Sequence, residues 1–180
     1  INFIKTELEG LIVIEPKVFK DDRGYFYESY NYNLFKENGI EEVFVQDNES
    51  LSQKNVLRGL HFQKPPYSQA KLIRVIQGKV LDVAVDLRKN SKTYGKHYTV
   101  ELSADNKKMF FIPAGFAHGF LTLEDNTIFS YKCSNFYNTS SEDALLWDDN
   151  ELKINWNIDN PILSEKDTTA NNFNNFITPF

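Results

Sequence analysis

The chain has 180 residues, enough for one domain with a substantial core, and 41% of them are hydrophobic, which excludes a disordered chain. A formal net charge of −5 argues against a general nucleic-acid binder. The single cysteine excludes an intrachain disulfide and favours the cytoplasm, and no apolar run approaches the ~20 residues of a membrane helix. The start, Ile1 to Thr6, has no basic region leading into an apolar stretch and does not read as a signal peptide.

Strand signals dominate in chain order. Leu11 to Ile14 is a short apolar run, and Gly24 to Tyr30 alternates aromatic with polar residues. The segment from about Asn31 to Glu37 reads as a helix, capped by Asn31 and ended by Gly39. Further strands are expected at Val43 to Gln46, Lys71 to Ile76, Val80 to Leu87, His97 to Leu102, Lys108 to Ile112, Gly119 to Leu123 and Thr127 to Tyr131. They are short and rich in Val, Ile, Phe and Tyr, with turn residues between them. Many short strands with few helices predict an all-β, double-sheet jelly roll, a cupin-like barrel, as one domain over 1–180. In Val80 to Leu87, alternation puts Leu81, Val83, Val85 and Leu87 on a packing face. The other face carries Asp82 and Asp86 toward an interior or a mouth; the plainer alternative is a wet sheet face.

Three histidines are present. His61 lies in a basic and polar set within an otherwise apolar strand, Leu57 to Gln63, and His118 follows a Pro/Gly turn directly into a strand. His97, between Lys96 and Tyr98, reads as a solvated residue of an edge strand. No His-x-His or His-x-x-x-His occurs, so a metal is not expected, although two histidines and a carboxylate can hold one. Arg23, Arg58, Arg74, Lys71 and Lys166 stand among aromatics or strand residues. Singly each reads as a surface ion-pair partner; together they suit a nucleoside diphosphate.

Several segments, in order, resemble the dTDP-4-dehydrorhamnose 3,5-epimerase family. They are Phe19-Lys-Asp-Asp-Arg-Gly-Tyr-Phe-Tyr-Glu28, Val45-Gln-Asp-Asn48, Val56-Leu-Arg-Gly-Leu-His-Phe-Gln63, Gln69-Ala-Lys-Leu-Ile-Arg74, Asp82-Val-Ala-Val-Asp-Leu-Arg88, Ile112-Pro-Ala-Gly-Phe-Ala-His-Gly-Phe120, Tyr131-Lys132 and Leu163-Ser-Glu-Lys-Asp167. The resemblance spans about residues 3 to 167 and leaves 168–180 as a tail that fits no pattern. It implies an isomerase that needs no metal or other cofactor and acts on a dTDP-linked 4-keto-6-deoxy sugar. By the same resemblance His61 is the base, Asp167 orients it, Tyr131 is the acid and Lys71 neutralises the enolate. His118 and Asp82 lie near the sugar. Arg23, Glu28, Gln46, Asn48, Arg58, Glu142 and Lys166 bind nucleotide and sugar, and Phe26 and Tyr137 pack on base or sugar. The Arg23 to Glu28 segment is contributed across a homodimer interface.

Two points stay open in the sequence. Arg58 and His61 are three apart and fall on opposite faces of a flat strand, so either a bulge lies near Gly59 or they act at different depths. A mono-functional 3- or 5-epimerase, a 3,4-ketoisomerase, a non-catalytic sugar-nucleotide module and a metal-dependent oxygenase are the other readings. The base, acid and lysine set favours epimerisation, and the histidine count disfavours the oxygenase.

Overall fold

A computed structural model describes residues 1–180. Its elements in chain order are β1 (Asn2–Lys5), β2 (Ile12–Glu15), β3 (Phe19–Asp21), β4 (Gly24–Phe26), α1 (Tyr32–Glu37), β5 (Gln46–Ser52), β6 (Leu57–Gln63), β7 (Lys71–Gln77), β8 (Lys79–Asp86), β9 (His97–Ser103), β10 (Met109–Ile112), β11 (Phe116–Thr122), β12 (Thr127–Cys133), β13 (Glu142–Ala144) and α2 (Glu165–Thr168). A six-stranded sheet in the order β1-β2-β10-β7-β12-β5 faces a five-stranded sheet in the order β13-β6-β11-β8-β9. Consecutive strands repeatedly switch sheets, and all named pairs are antiparallel. This is the two-sheet jelly roll of the cupin type that the strand signals predict.

Strand β8 explains why the core has two parts. Val80 and Ala84 point between the sheets with Phe110, Phe116, Phe120 and Phe129. Val83, Val85 and Leu87 point the other way, under Leu145, Leu152 and Trp156. Neither face is wet: Asp82 and Asp86 are both 0% exposed. Such burial requires partners. Asp86 accepts from Arg88, Ser91 and Thr93, and Asp82 meets His118. Burial pushes the Asp86 carboxyl up, but Arg88, Ser91 and Thr93 together hold it below the usual carboxylate range.

The C-terminal residues complete the outer layer. Phe173, Phe176 and Phe180 pack against the cluster outside the five-stranded sheet. Phe62 meets Phe176 and Phe180 edge-on at 5.4 and 6.0 Å. The Lys89 N–H donates to the Phe180 carbonyl at 3.1 Å. On the opposite side α1 covers part of the six-stranded sheet through Phe35, with Ile14, Leu72 and Phe111. Asn31 caps it by accepting from Leu34 N–H at 3.2 Å. A helix of six residues is marginal alone, so this packing holds it.

Three expectations change. The strand expected at Val43 to Gln46 begins at Gln46 and runs to Ser52. Its half-buried residues are Gln46, Asn48 and Ser50, so the inner face is polar and carries no apolar pattern to read. The strand expected over Gly24 to Tyr30 is only Gly24–Phe26, one arm of a hairpin whose aromatics are exposed. His97 does begin the edge strand β9, yet its ring is half-buried; burial pushes its pKa down.

The open question about β6 resolves as a bulge. His61 pairs with His118 and Arg58 pairs with Phe120, so Gly59 and Leu60 together face the single residue Gly119. Leu57, Leu60 and Phe62 therefore all reach the outer core, while Arg58 and His61 turn to the same side. Gly59 has φ +138°, and a Cβ there would lie 2.4 Å from Gly119 Cα. Overpacking of this kind costs about 1–3 kcal/mol. Gly59→Ala is expected to lower Tm by several degrees, at about 2–4 °C per kcal/mol for a chain this size. Activity should fall with it, because Arg58 and His61 lose their shared face. A calorimetric scan with wild-type Tm would show that the tight crossing at Gly59 is absent.

Candidate active site

A cavity of about 230 Å3 lies between the two sheets. Arg58 and His61 reach it from β6, His118 and Phe120 from β11, Lys71 from β7, and Phe129 and Tyr131 from β12. The two histidines are register partners on neighbouring strands. Lys71, Tyr131 and Asn48 belong to the facing sheet, where Asn48 is the register partner of Tyr131 and Cys133 that of Lys71. One wall therefore carries imidazoles and a guanidinium, and the other carries a phenol and an ammonium.

Each histidine has its own carboxylate. His61 Nε2 lies 2.5 Å from Asp167 Oδ1, and Asp167 is only 2% exposed. Burial pushes the Asp167 carboxyl up, but His61, with Ser164 and Lys166, holds it below the usual range. An ionised carboxylate can only accept, so Nε2 carries the proton and Nδ1 of the neutral ring is left with a lone pair. His118 Nε2 lies 3.0 Å from both oxygens of Asp82. Its pKa is lowered, by burial first and by Lys71 and His61 after it, against the pull of Asp82. His118 stacks on Phe129, which stacks on Phe120 at 3.9 Å, so this part of the cavity floor is apolar.

The facing wall holds its protons differently. Burial raises the Tyr131 pKa, and Cys133 adds to the rise against Asn48 and Arg58, so the phenol stays protonated at neutral pH. Lys71 Nζ lies 5.8 Å from the Tyr131 ring centroid. Its pKa is lowered, chiefly by burial, while Cys133, Asp82 and Glu142 pull it up.

A hydrogen-bonded chain extends from this wall. Asn48 Nδ2 donates to Cys133 Sγ, and Gln46 Nε2 donates to Asn48 Oδ1 at 3.0 Å. The Tyr137 N–H donates to Gln46 Oε1, and its hydroxyl donates to Glu142 Oε2 at 2.8 Å. Glu142 pairs with Lys166, next to Asp167 on α2. Burial raises the Glu142 pKa, but Lys166 and Tyr137 more than reverse it.

The chain thus brings Arg58, His61, Lys71, His118, Tyr131 and Asp167 to one cavity, with Asp82 behind His118. Gln46, Asn48, Tyr137, Glu142 and Lys166 form the adjoining network. It does not bring Arg23, Phe26 or Glu28 there. Arg23 is bound to Asp21 in the β3–β4 hairpin with its side chain 89% exposed. Phe26 is 70% exposed, and the concavity it shares with Arg23 has no residue in common with the cavity. Glu28 is also exposed. Sequence reasoning missed Glu49, Ser50, Phe120, Phe129 and Ser164, which also line the cavity. Phe120 and Phe129 were findable: each stands two residues from a cavity residue on the same strand, His118 and Tyr131, and so on the same face.

A cupin barrel enclosing two imidazole–carboxylate pairs opposite a lysine and a phenol defines an acid–base enzyme. A sequence model described as dTDP-4-dehydrorhamnose 3,5-epimerase matches residues 5–175. The protein of that name from Methanothermobacter thermautotrophicus is 55% identical over 169 residues, 92% of this chain and 91% of that one. The crystal structure of the Elizabethkingia anophelis enzyme superposes with a TM-score of 0.92 at 53% identity, covering 96% of both chains. The structure of the Legionella pneumophila enzyme in complex with dTDP-4-keto-L-rhamnose gives 0.94 at 46% identity, covering 98% of this chain and 94% of that one. The chain belongs to the dTDP-4-dehydrorhamnose 3,5-epimerase family, and it is an isomerase.

Proposed function

We propose that the protein epimerises carbons 3 and 5 of dTDP-4-dehydro-6-deoxyglucose to give dTDP-4-dehydrorhamnose, by acid–base chemistry without a metal. The observation that carries this reading is the placement of His61 and Tyr131 on opposite sheets across one cavity. Inverting a carbon beside a ketone requires a base on one face and an acid on the other.

His61 Nδ1 takes the proton from the C–H bond, and its electron pair moves onto the ketone oxygen as an enolate. Asp167 stabilises the imidazolium that results. Lys71 lies where it can hold the oxyanion by charge alone. The enolate collapses, and the carbon takes the Tyr131 hydroxyl proton on its other face. Solvent then restores both side chains. His118, its pKa lowered chiefly by burial, faces the sugar, and Asp82 behind it holds the ring. Arg58 and the network from Gln46 to Lys166 hold the diphosphate and base. The exposed hairpin carrying Arg23, Phe26 and Glu28 serves the cavity of a second copy in a homodimer, which accounts for its distance from its own cavity.

No helix is long and apolar enough to cross a membrane. The single cysteine, Cys133, is buried and free, which suits the cytoplasm.

The test is incubation with dTDP-4-dehydro-6-deoxyglucose in deuterated water. Label is expected at carbons 3 and 5 with inversion at both. Label at one carbon alone would replace this reading with that of a mono-functional epimerase. Sedimentation at assay concentration is expected to show a dimer; an active monomer would remove the role given to the hairpin.

A further inference from the structure

The His61–Asp167 pair is itself held by a third group. Asp167 lies at the third position of α2, whose cap is Ser164, so Ser164-Glu165-Lys166-Asp167 reads as an ordinary helix start. In the common form of this motif the carboxylate at the third position turns back to the cap residue's backbone N–H. Here it does not. Asp167 Oδ1 goes to His61, and Oδ2 accepts from the Ser164 hydroxyl at 2.8 Å. The Asp167 N–H donates to the same Ser164 Oγ at 3.2 Å. The hydroxyl therefore uses its lone pair to cap the helix and its proton to hold the carboxylate.

The energetics give this contact weight. A carboxylate 2% exposed has little water to replace a missing donor. Its side chain has two hydrogen-bond partners, the His61 ring and the Ser164 hydroxyl. Ser164 itself lines the cavity beside Arg58 and His61.

We infer that Ser164 is a positioning residue for the reaction: its hydroxyl fixes the Asp167 carboxylate so that the His61 ring keeps its Nε2-protonated tautomer and aims Nδ1 at the substrate. This rests on the proposed role of His61 as base. Without the hydroxyl, Oδ2 is unpaired, the carboxylate rotates toward other donors, and the ring loses its fixed orientation.

The experiment uses the whole 180-residue chain with two substitutions at Ser164. Ser164→Gly removes the hydroxyl but keeps a residue well tolerated at a helix cap, so the fold should melt within a few degrees of wild type. Ser164→Thr keeps both the cap and the donor. Ser164→Gly is expected to lower kcat about tenfold to hundredfold, the range that a hydrogen bond to a charged group is worth, with KM unchanged. Deuterium uptake from solvent should fall by the same factor, because the base step is what suffers. Ser164→Thr should restore both. In an Asp167→Asn background, Ser164→Gly should cost much less, since the two act as one unit. Wild-type exchange in Ser164→Gly, or an equal loss with and without Asp167, would overturn the inference. The outcome separates from failure of the parent reading through His61→Asn. If that variant exchanges normally, the base assignment itself is wrong; if it is dead while Ser164→Gly is normal, only the role of Ser164 is lost.

Discussion

His61→Asn is expected to abolish both solvent exchange of the sugar C–H bonds and epimerisation, whereas Tyr131→Phe should abolish inversion and keep some exchange. Asparagine roughly preserves the shape of the ring and leaves an amide donor for the buried Asp167, so the fold should survive. Without the imidazole lone pair no proton leaves carbon. General acid–base groups contribute about a hundredfold to ten-thousandfold, and the loss in both assays should be of that order. Tyr131→Phe removes only the hydroxyl. The ring remains, 5.9 Å from Phe129, and the Asn48 partner on β5 is untouched. His61 can still take a proton and return one to the same face, so label washes in without inverted product. Chromatography of the sugar nucleotide with mass detection reads both quantities in one sample. Epimerisation at the wild-type rate in Tyr131→Phe would reduce the ring to packing, and normal exchange in His61→Asn would remove His61 from the chemistry.

The parts of the site that the sequence shows plainly are those governed by local rules. Alternation in β8 places Asp82 on a different face from Val83, and the Pro/Gly turn before β11 sends His118 into a strand. Other parts depend on contacts that no local rule carries. His61 and Asp167 are 106 positions apart, and only the family resemblance joins them before the fold does. The strand β5 is hidden because its inner residues are polar for the sake of the cavity. Alternation misleads at β6, where one glycine lets Arg58 and His61 share a face. The tail reads as patternless, yet Phe173, Phe176 and Phe180 are half-buried against a sheet whose outer surface only the complete barrel creates. The hairpin aromatics show the converse. Phe19, Tyr25 and Phe26 are large and aromatic in the sequence, yet all three stay exposed in the chain, which no alternation rule predicts.

Lys71→Met should cost about a hundredfold to a thousandfold in kcat, the usual loss when one oxyanion-stabilising group is removed. Methionine keeps the length and apolar stem of the side chain, so packing beside Tyr131 changes little. What disappears is the charge opposite the imidazole wall. The enolate then loses the cation assigned to its oxygen, and it forms more rarely, so exchange and inversion should fall together. That pattern differs from Tyr131→Phe, in which they separate. A second change is expected within the site. Lys71 is one of the groups that hold the His118 pKa down, so without it that pKa should move up, toward the value that Asp82 favours. A histidine titration followed by NMR should show the His118 midpoint at higher pH in Lys71→Met than in wild type, with the melting temperature little altered. The kinetic split decides the role. A raised KM with unchanged kcat would make Lys71 a binding residue that treats ground and transition states alike. A lowered kcat with KM unchanged, together with the upward shift of His118, would place the Lys71 charge at the developing enolate and identify it as one of the groups that, after burial, hold the neighbouring imidazole's pKa down.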